Sequence, residues 1–198
     1  AIKTNGVSGP VFMNIRPGVY MRDGGLSSVM ILDSIIAGIS PINRITFQPD
    51  ETAGGNVNNV IMQIDLTTQT STALVSIRTD YTTIRDLTFQ DVDSAEAGTD
   101  HLLEIVYAHG YNETVEGIVI EGCRFIGNTS PAGGITFGTD YGIYADIYVS
   151  EIQVRNNKFE RLMRAVSVGN SVGVSDNAIV EDNQILTAHF GITGTSLP

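Results

Sequence analysis

Ile152-Gln-Val-Arg-Asn-Asn-Lys-Phe159 is the stretch whose reading decides the fold. Apolar and polar residues alternate from Ile152 to Val154, as in a strand with one buried face, and a large aromatic closes the segment. Four further segments align with Val154–Phe159 on that closing residue. They are Ile42-Asn-Arg-Ile-Thr-Phe47, Ile84-Arg-Asp-Leu-Thr-Phe89, Ile120-Glu-Gly-Cys-Arg-Phe125 and Val180-Glu-Asp-Asn-Gln-Ile185. Each opens on Ile or Val and closes on Phe or Ile. The closing residues are spaced by 42 (Phe47 to Phe89), 36 (to Phe125), 34 (to Phe159) and 26 (to Ile185). A constant segment at variable spacing is what a β-solenoid permits, because each coil must return to the same stacking position while its loops vary in length.

A second echo follows the first: Gly134-Ile135, Ala165-Val166 and Gly191-Ile192 fall at comparable places after the anchors, with an insertion in the third coil. Strand-like runs lie between, at Val60 to Ile64, Ala73 to Ile77 and His101 to Tyr107. A β-sandwich would lack the phased motif. A propeller would need more blades than this length allows, and helical repeats would need a period of 3.6.

Composition agrees with an all-β chain. Of 198 residues, 42% are hydrophobic and only 17% charged, which excludes disorder, and 21 glycines supply turns. Net charge is −11, from 22 acidic and 11 basic residues. That balance speaks against a nucleic-acid partner or an anionic membrane surface and is compatible with cation binding. No stretch is long and apolar enough for membrane insertion. The single cysteine, Cys123, rules out an intrachain disulfide.

The aligned columns assign directions to side chains. With the closing residue inward, the opening Ile or Val also points inward. Two places before the anchor stand Ile45, Leu87, Cys123, Asn157 and Asn183. Asn157 and Asn183 are expected to stack as an interior asparagine ladder, each amide bonding backbone and the next amide. Cys123 in that column reads as a small buried hydrophobe. Four places before the anchor stand Asn43, Arg85, Glu121, Arg155 and Glu181, outward and alternating in sign from Arg85 onward. Across coils about 4.8 Å apart they would form a polar ladder that holds register; the competing reading is a strip that binds sugar hydroxyls.

Ile152-Gln-Val-Arg-Asn-Asn-Lys-Phe159 resembles the repeat of pectate-lyase-like right-handed parallel β-helix proteins. Val7-Ser-Gly-Pro-Val-Phe-Met-Asn-Ile-Arg-Pro-Gly-Val-Tyr20 looks like the opening of secreted bacterial β-helix modules of that superfamily. The resemblance runs from about residue 7 to the end and concerns the fold, which hosts lyases, hydrolases, esterases, adhesins and viral fibres. It implies a secreted or cell-surface location and a connection with polysaccharide. It carries over no catalytic set. Asp86, Glu121, Asp182, Arg85 and Arg155 lack the motif that surrounds the calcium-binding carboxylates and arginine base of pectate lyases, and none of the three histidines matches a polygalacturonase-type segment. The expected fold is one single-stranded right-handed parallel β-helix domain over residues 1–198, with irregular loops. Residues 1–40 form the opening strand and cap region and 41–198 the coils.

Candidate chemistry is sparse. Glu121 and Glu181, two coils or about 9.6 Å apart, have the spacing of an inverting glycosidase pair, but Arg155 between them would hold both ionised, which is wrong for a general acid. Asp91, Asp93, Glu96 and Asp100 are a calcium candidate in an acidic loop, against a plain solvated loop; no cofactor is otherwise required. Tyr107, Tyr111, Tyr141, Tyr144 and Tyr148 could stack on sugar rings or simply edge the core. The leading expectation is a non-catalytic module with a structural, adhesive or filament-forming role. Its ends would be covered by other copies of itself or by further residues of a longer chain. The alternatives are a polysaccharide lyase or glycoside hydrolase, and a carbohydrate-binding module.

Overall fold

Short runs with alternating apolar residues, broken by Gly, Asn and Asp, are too brief to form anything but strands. The computed structural model describes residues 6–22, 30–32, 36–64, 72–92, 100–105, 114–127, 141–145, 148–169 and 177–194. Their first passage comprises β1 (Val11–Ile15), β2 (Gly18–Arg22) and β3 (Met30–Leu32). The second comprises β4 (Ile45–Pro49), β5 (Val60–Ile64) and β6 (Thr72–Ile77), and the third β7 (Thr82–Arg85), β8 (Thr88–Asp91) and β9 (Asp100–Ile105). The fourth has β10 (Val115–Glu116), β11 (Val119–Glu121), β12 (Arg124–Ile126) and β13 (Tyr141–Ala145). The fifth has β14 (Val149–Ser150), β15 (Gln153–Arg155), β16 (Lys158–Glu160) and β17 (Leu162–Val168). The sixth has β18 (Ile179–Glu181), β19 (Gln184–Ile185) and β20 (Ala188–Gly194).

Each passage, or coil, contributes one strand to each of three six-stranded sheets. The first sheet runs β1-β4-β7-β11-β15-β18, the second β2-β5-β8-β12-β16-β19 and the third β3-β6-β9-β13-β17-β20. A short pair, β10-β14, stands apart, and the pairings in all of these sheets are parallel. The chain is thus all-β with parallel sheets. The helical element among the described residues is a single 3-10 turn, Glu51–Ala53, whose N-cap Asp50 accepts from the Thr52 and Ala53 amides.

The interior is built in columns. Ile84, Ile120 and Val154 are successive partners on the first sheet, and Phe89, Phe125 and Phe159 on the second. All six are fully buried. The three phenylalanine rings stack with centroids 5.0 Å apart at each step and planes 9° apart, so the coil spacing itself sets an aromatic column. Val180 and Ile185 continue the two columns into the last coil, where they are half-buried and pack against the core.

From the third coil onward, two residues carry the chain from first sheet to second: Asp86-Leu87, Gly122-Cys123, Asn156-Asn157 and Asp182-Asn183. The first of each pair has positive φ: 56° at Asp86, 64° at Gly122, 57° at Asn156 and 53° at Asp182. Gly, Asn and Asp accept this left-handed conformation at least cost. At Gly122 the absence of a side chain matters twice, because a Cβ there would strike the Asp86 carboxylate of the coil before.

The first aligned segment is out of phase with the others. Phe47 pairs with Ile84 rather than lying beside Phe89, and Met62 takes the place beside Phe89. Ile42, aligned by sequence with Ile84, is 81% exposed, and Ile45 pairs with Thr82 instead of joining the turn column. Asn43 likewise lies before β4, outside the outward column. The cause is the connection over residues 50–59, which replaces the two-residue turn in this coil and displaces the second-sheet strand along the sequence. The second echo also shifts: Gly142-Ile143 stands opposite Ala165-Val166, while Gly134-Ile135 lies outside the described residues.

Buried and stacked on both faces, Phe125 should be costly to truncate. Phe125→Ala is expected to lower the unfolding free energy by about 3–5 kcal/mol in a denaturant titration. Ile42→Ala, which the sequence alignment ranks as equivalent core, should change it by no more than about 0.5 kcal/mol.

Candidate functional site

Parallel register brings residues far apart in sequence into single file on the outer faces. On the first sheet Arg85, Glu121, Arg155 and Glu181 are consecutive partners. Contacts along this file are uneven. Arg155 donates from Nε (3.0 Å) and Nη2 (2.9 Å) to the same Glu121 oxygen, Oε2. Arg85 leans toward Asp86, with Nε 4.0 Å from Oδ2. Burial pushes the Asp86 carboxyl above its ordinary range, while the charge of Arg85 opposes that shift. Glu181 is exposed on the last coil.

Inside the same turn, polar side chains replace apolar ones in the last two coils. Asn157 is buried, donates from Nδ2 to the Ile120 carbonyl (3.0 Å) and to Asn183 Oδ1 (3.0 Å), and accepts the Cys123 amide at 2.9 Å. Asn183 donates to the Val154 carbonyl at 2.7 Å and accepts the Asn157 amide at 2.9 Å. Each amide therefore satisfies backbone groups that a turn would otherwise leave without partners. Cys123 occupies the next position, and burial pushes its thiol up to about 12, so it is no thiolate nucleophile at neutral pH.

The second sheet carries a charged cluster that the aligned columns do not single out. Arg124 and Lys158 are register partners of like sign, and Glu160 Oε1 accepts from both, at 3.1 Å and 2.9 Å. The hydrogen bond from Lys158 holds the Glu160 carboxyl below its ordinary value of 4.5, with the charge of Arg124 assisting and burial opposing. Arg44 makes a third bracing contact. It donates to Thr83 Oγ1 (2.9 Å) and the Thr82 carbonyl (3.2 Å), and also reaches the Gly117 carbonyl, tying the second coil to the third and fourth.

The third sheet presents the densest aromatic face. His101, Tyr141, Arg164 and Phe190 are successive partners. The His101 ring stacks on Tyr144 at 4.4 Å and meets Tyr141 edge-on at 5.2 Å, and His101 Nδ1 lies 3.1 Å from Glu104 Oε1. The Arg164 guanidinium sits 5.0 Å from the Tyr141 centroid and 5.6 Å from that of Phe190. Of the tyrosines considered from sequence, this face unites Tyr141 and Tyr144. Tyr148 stands at a left-handed turn before β14, and Tyr107 and Tyr111 lie outside the described residues. His101, Glu104, Arg164 and Phe190 escape sequence reasoning because connections of unequal length separate their strands. The detectable signal is the strand-like run that begins at His101.

Of the calcium candidates, Asp91 is buried and pairs with Ile64, and Val92 is the next described residue. Asp93, Glu96 and the side chain of Asp100 lie outside the described residues. Among the described residues no group of three or more His, Cys, Asp or Glu is placed to share a metal ion, and no helix is long and apolar enough to cross a membrane. No family model, curated protein or solved structure matches this chain.

Two outcomes are expected of the outer files. Arg155→Glu, which aligns three carboxylates, should destabilise more than Arg155→Gln, by about 0.5–1 kcal/mol in the denaturant midpoint comparison. Glu160 has a depressed folded pKa, so its stabilisation is present above pH 4.5 and disappears as pH falls through the folded value. An acid titration of the urea midpoint should therefore fall less steeply below pH 4.5 in Glu160→Gln than in the unaltered protein.

Proposed function

We propose that this chain is a right-handed parallel β-helix of the pectate-lyase-like kind, acting as a non-catalytic secreted or cell-surface module in a structural, adhesive or assembly role. The handedness follows from the near-universal right-handed crossover between parallel strands of one sheet. The cyclic visit to three parallel sheets supports a coiled chain. The resemblance of the Ile152–Phe159 repeat supports the superfamily and the location outside the cell.

One observation carries the functional reading. Two outer carboxylates are occupied with cations: Glu121 with Arg155 of the next coil, and Glu160 with Arg124 of the preceding coil and Lys158 of its own strand. A glycoside hydrolase needs one carboxyl kept protonated at working pH, and a carboxylate fixed by guanidinium or ammonium is poorly suited to that task. The polar files therefore read as devices that lock coil against coil.

A second reading, carbohydrate binding without catalysis, is favoured by the His101, Tyr141, Tyr144 and Arg164 face on the third sheet. Planar rings with an adjoining cation suit a sugar carrying a carboxylate.

Incubation with acidic and neutral polysaccharides, with and without calcium, should release neither unsaturated products nor reducing ends. Turnover that disappears in Glu121→Gln would overturn the non-catalytic reading. A glycan array decides the second: retention of acidic glycans that is lost in Tyr141→Ala would establish it, and absence of retention would eliminate it.

A further inference from the structure

Two guanidinium groups on the fifth coil have no acceptor within the protein. Lys158-Phe-Glu-Arg-Leu-Met-Arg164 carries three cations and one acid, in a chain whose net charge is −11. The acid, Glu160, is taken by Arg124 and Lys158. That leaves Arg161, in the left-handed turn after β16 with φ 58°, and Arg164, on the outer face of β17. Both are half-buried, and the Nε of each is shut off from water with no hydrogen-bond partner. Neither guanidinium has an ion pair among the described residues. The chain itself shows what a guanidinium on these outer faces binds when an acid is within reach. Arg155 offers Nε and Nη2 to Glu121 Oε2 at 3.0 and 2.9 Å, and Arg124 offers the same two nitrogens to Glu160 Oε1 at 3.3 and 3.1 Å. Arg164 has no acid opposite it. Its register partners are Tyr141 and Phe190, whose rings lie 5.0 and 5.6 Å from the guanidinium and hold it from the coils on either side. Glu104, the carboxylate on the same sheet, is already engaged with His101.

We infer that Arg164 and Arg161 select the ligand of the third-sheet face, and that they accept a glycan bearing carboxylates and reject a neutral one. This inference rests on the carbohydrate-binding reading above and adds which residues decide between ligands. With Nε closed off, the two terminal nitrogens of Arg164 are the donors left to a ligand, and their planar pair matches the two oxygens of a carboxylate. A sugar unit lying against Tyr141 brings its carboxylate to Arg164. Arg161, three residues away and so at most about 10 Å distant along the backbone, meets the carboxylate of another unit. A neutral glycan covering the same face would strip water from Arg164 and offer no countercharge, a cost that falls on the neutral ligand alone. A sulfated glycan, with its denser negative charge, meets more of the repulsion from a chain of net charge −11.

Calorimetric titration in calcium-free buffer tests this with three probes: an alginate oligosaccharide, the same oligosaccharide with its carboxyls methyl-esterified, and dextran sulfate of similar length. The unaltered protein should bind the acidic oligosaccharide, less tightly as salt rises. It should bind the ester and dextran sulfate about tenfold more weakly or worse. Arg164→Gln should lose about tenfold or more in affinity for the acidic form and leave the ester unchanged. Arg161→Gln should lose less, and Arg85→Gln, on the first sheet, should lose nothing. Arg164→Lys keeps the charge without the planar fork and should recover only part of the loss. Circular dichroism checks that each variant keeps its strands, and the comparison of acid with ester on the unaltered protein needs no variant. Equal binding of acid and ester, binding of dextran sulfate as tight as that of the acidic form, or full binding by Arg164→Gln overturns the inference. If in that case Tyr141→Ala still abolishes binding, the carbohydrate reading stands without it. Binding of none of the three probes defeats the reading and the inference together.

Discussion

Parallel strands bond evenly to a neighbour on each side, so a strand inside a stack must place every residue directly over its counterpart in the next coil. That constraint governs the rest of this molecule. Once Phe125 lies between Phe89 and Phe159, the backbone bonds set a ring spacing of 5.0 Å, and the stacking geometry of the aromatic column follows. The same bonds put Arg155 beside Glu121 on the outer face and Asn157 beside Asn183 in the turn. A change of register by one residue would turn the phenylalanines outward and the arginines inward together, so inner and outer columns enforce each other.

The turn between the first and second sheets is where register is most tightly held. Its first residue must accept positive φ, and its second points inward among apolar neighbours. In the third and fourth coils Leu87 and Cys123 fill that place, and in the fifth and sixth Asn157 and Asn183 do. The asparagines succeed there because every amide atom that turns inward finds a backbone or side-chain partner. In the second coil the 50–59 connection, organised by Asp50, does the work of this turn without its geometry. Stacking tolerates the substitution because it requires only that β4 and β5 return to their places in the two sheets.

The outer faces show how one constraint serves different chemistry. On the first sheet the file brings Arg155 to Glu121, and on the second Arg124 reaches Glu160 in the neighbouring file, so both contacts join one coil to the next. On the third sheet the file is aromatic and cationic, with Arg164 between Tyr141 and Phe190. Pairs of this kind are individually worth about 0.2–1 kcal/mol. Their joint effect is to make neighbouring coils specific for one alignment.

The repeating Ile or Val and Phe, with Asn, Asp or Gly between them, determined by themselves that strands recur in phase and where four of their connections turn, because burial and positive φ are demands on single residues. The sequence also held a warning about the first segment. Arg44 stands where Asp86, Gly122, Asn156 and Asp182 occupy left-handed positions, which Gly, Asn and Asp accept at lower cost than arginine, although Arg161 adopts one elsewhere with φ 58°. What the tertiary structure alone decided was the phase of the second coil, the union of His101 with Tyr141 and Arg164, and the capture of Glu160 by Arg124 and Lys158. These depend on how far a connection such as 50–59 advances the chain before the next strand begins. Connection length carries no periodic signal, so only the hydrogen-bonded register between coils tells which residues meet.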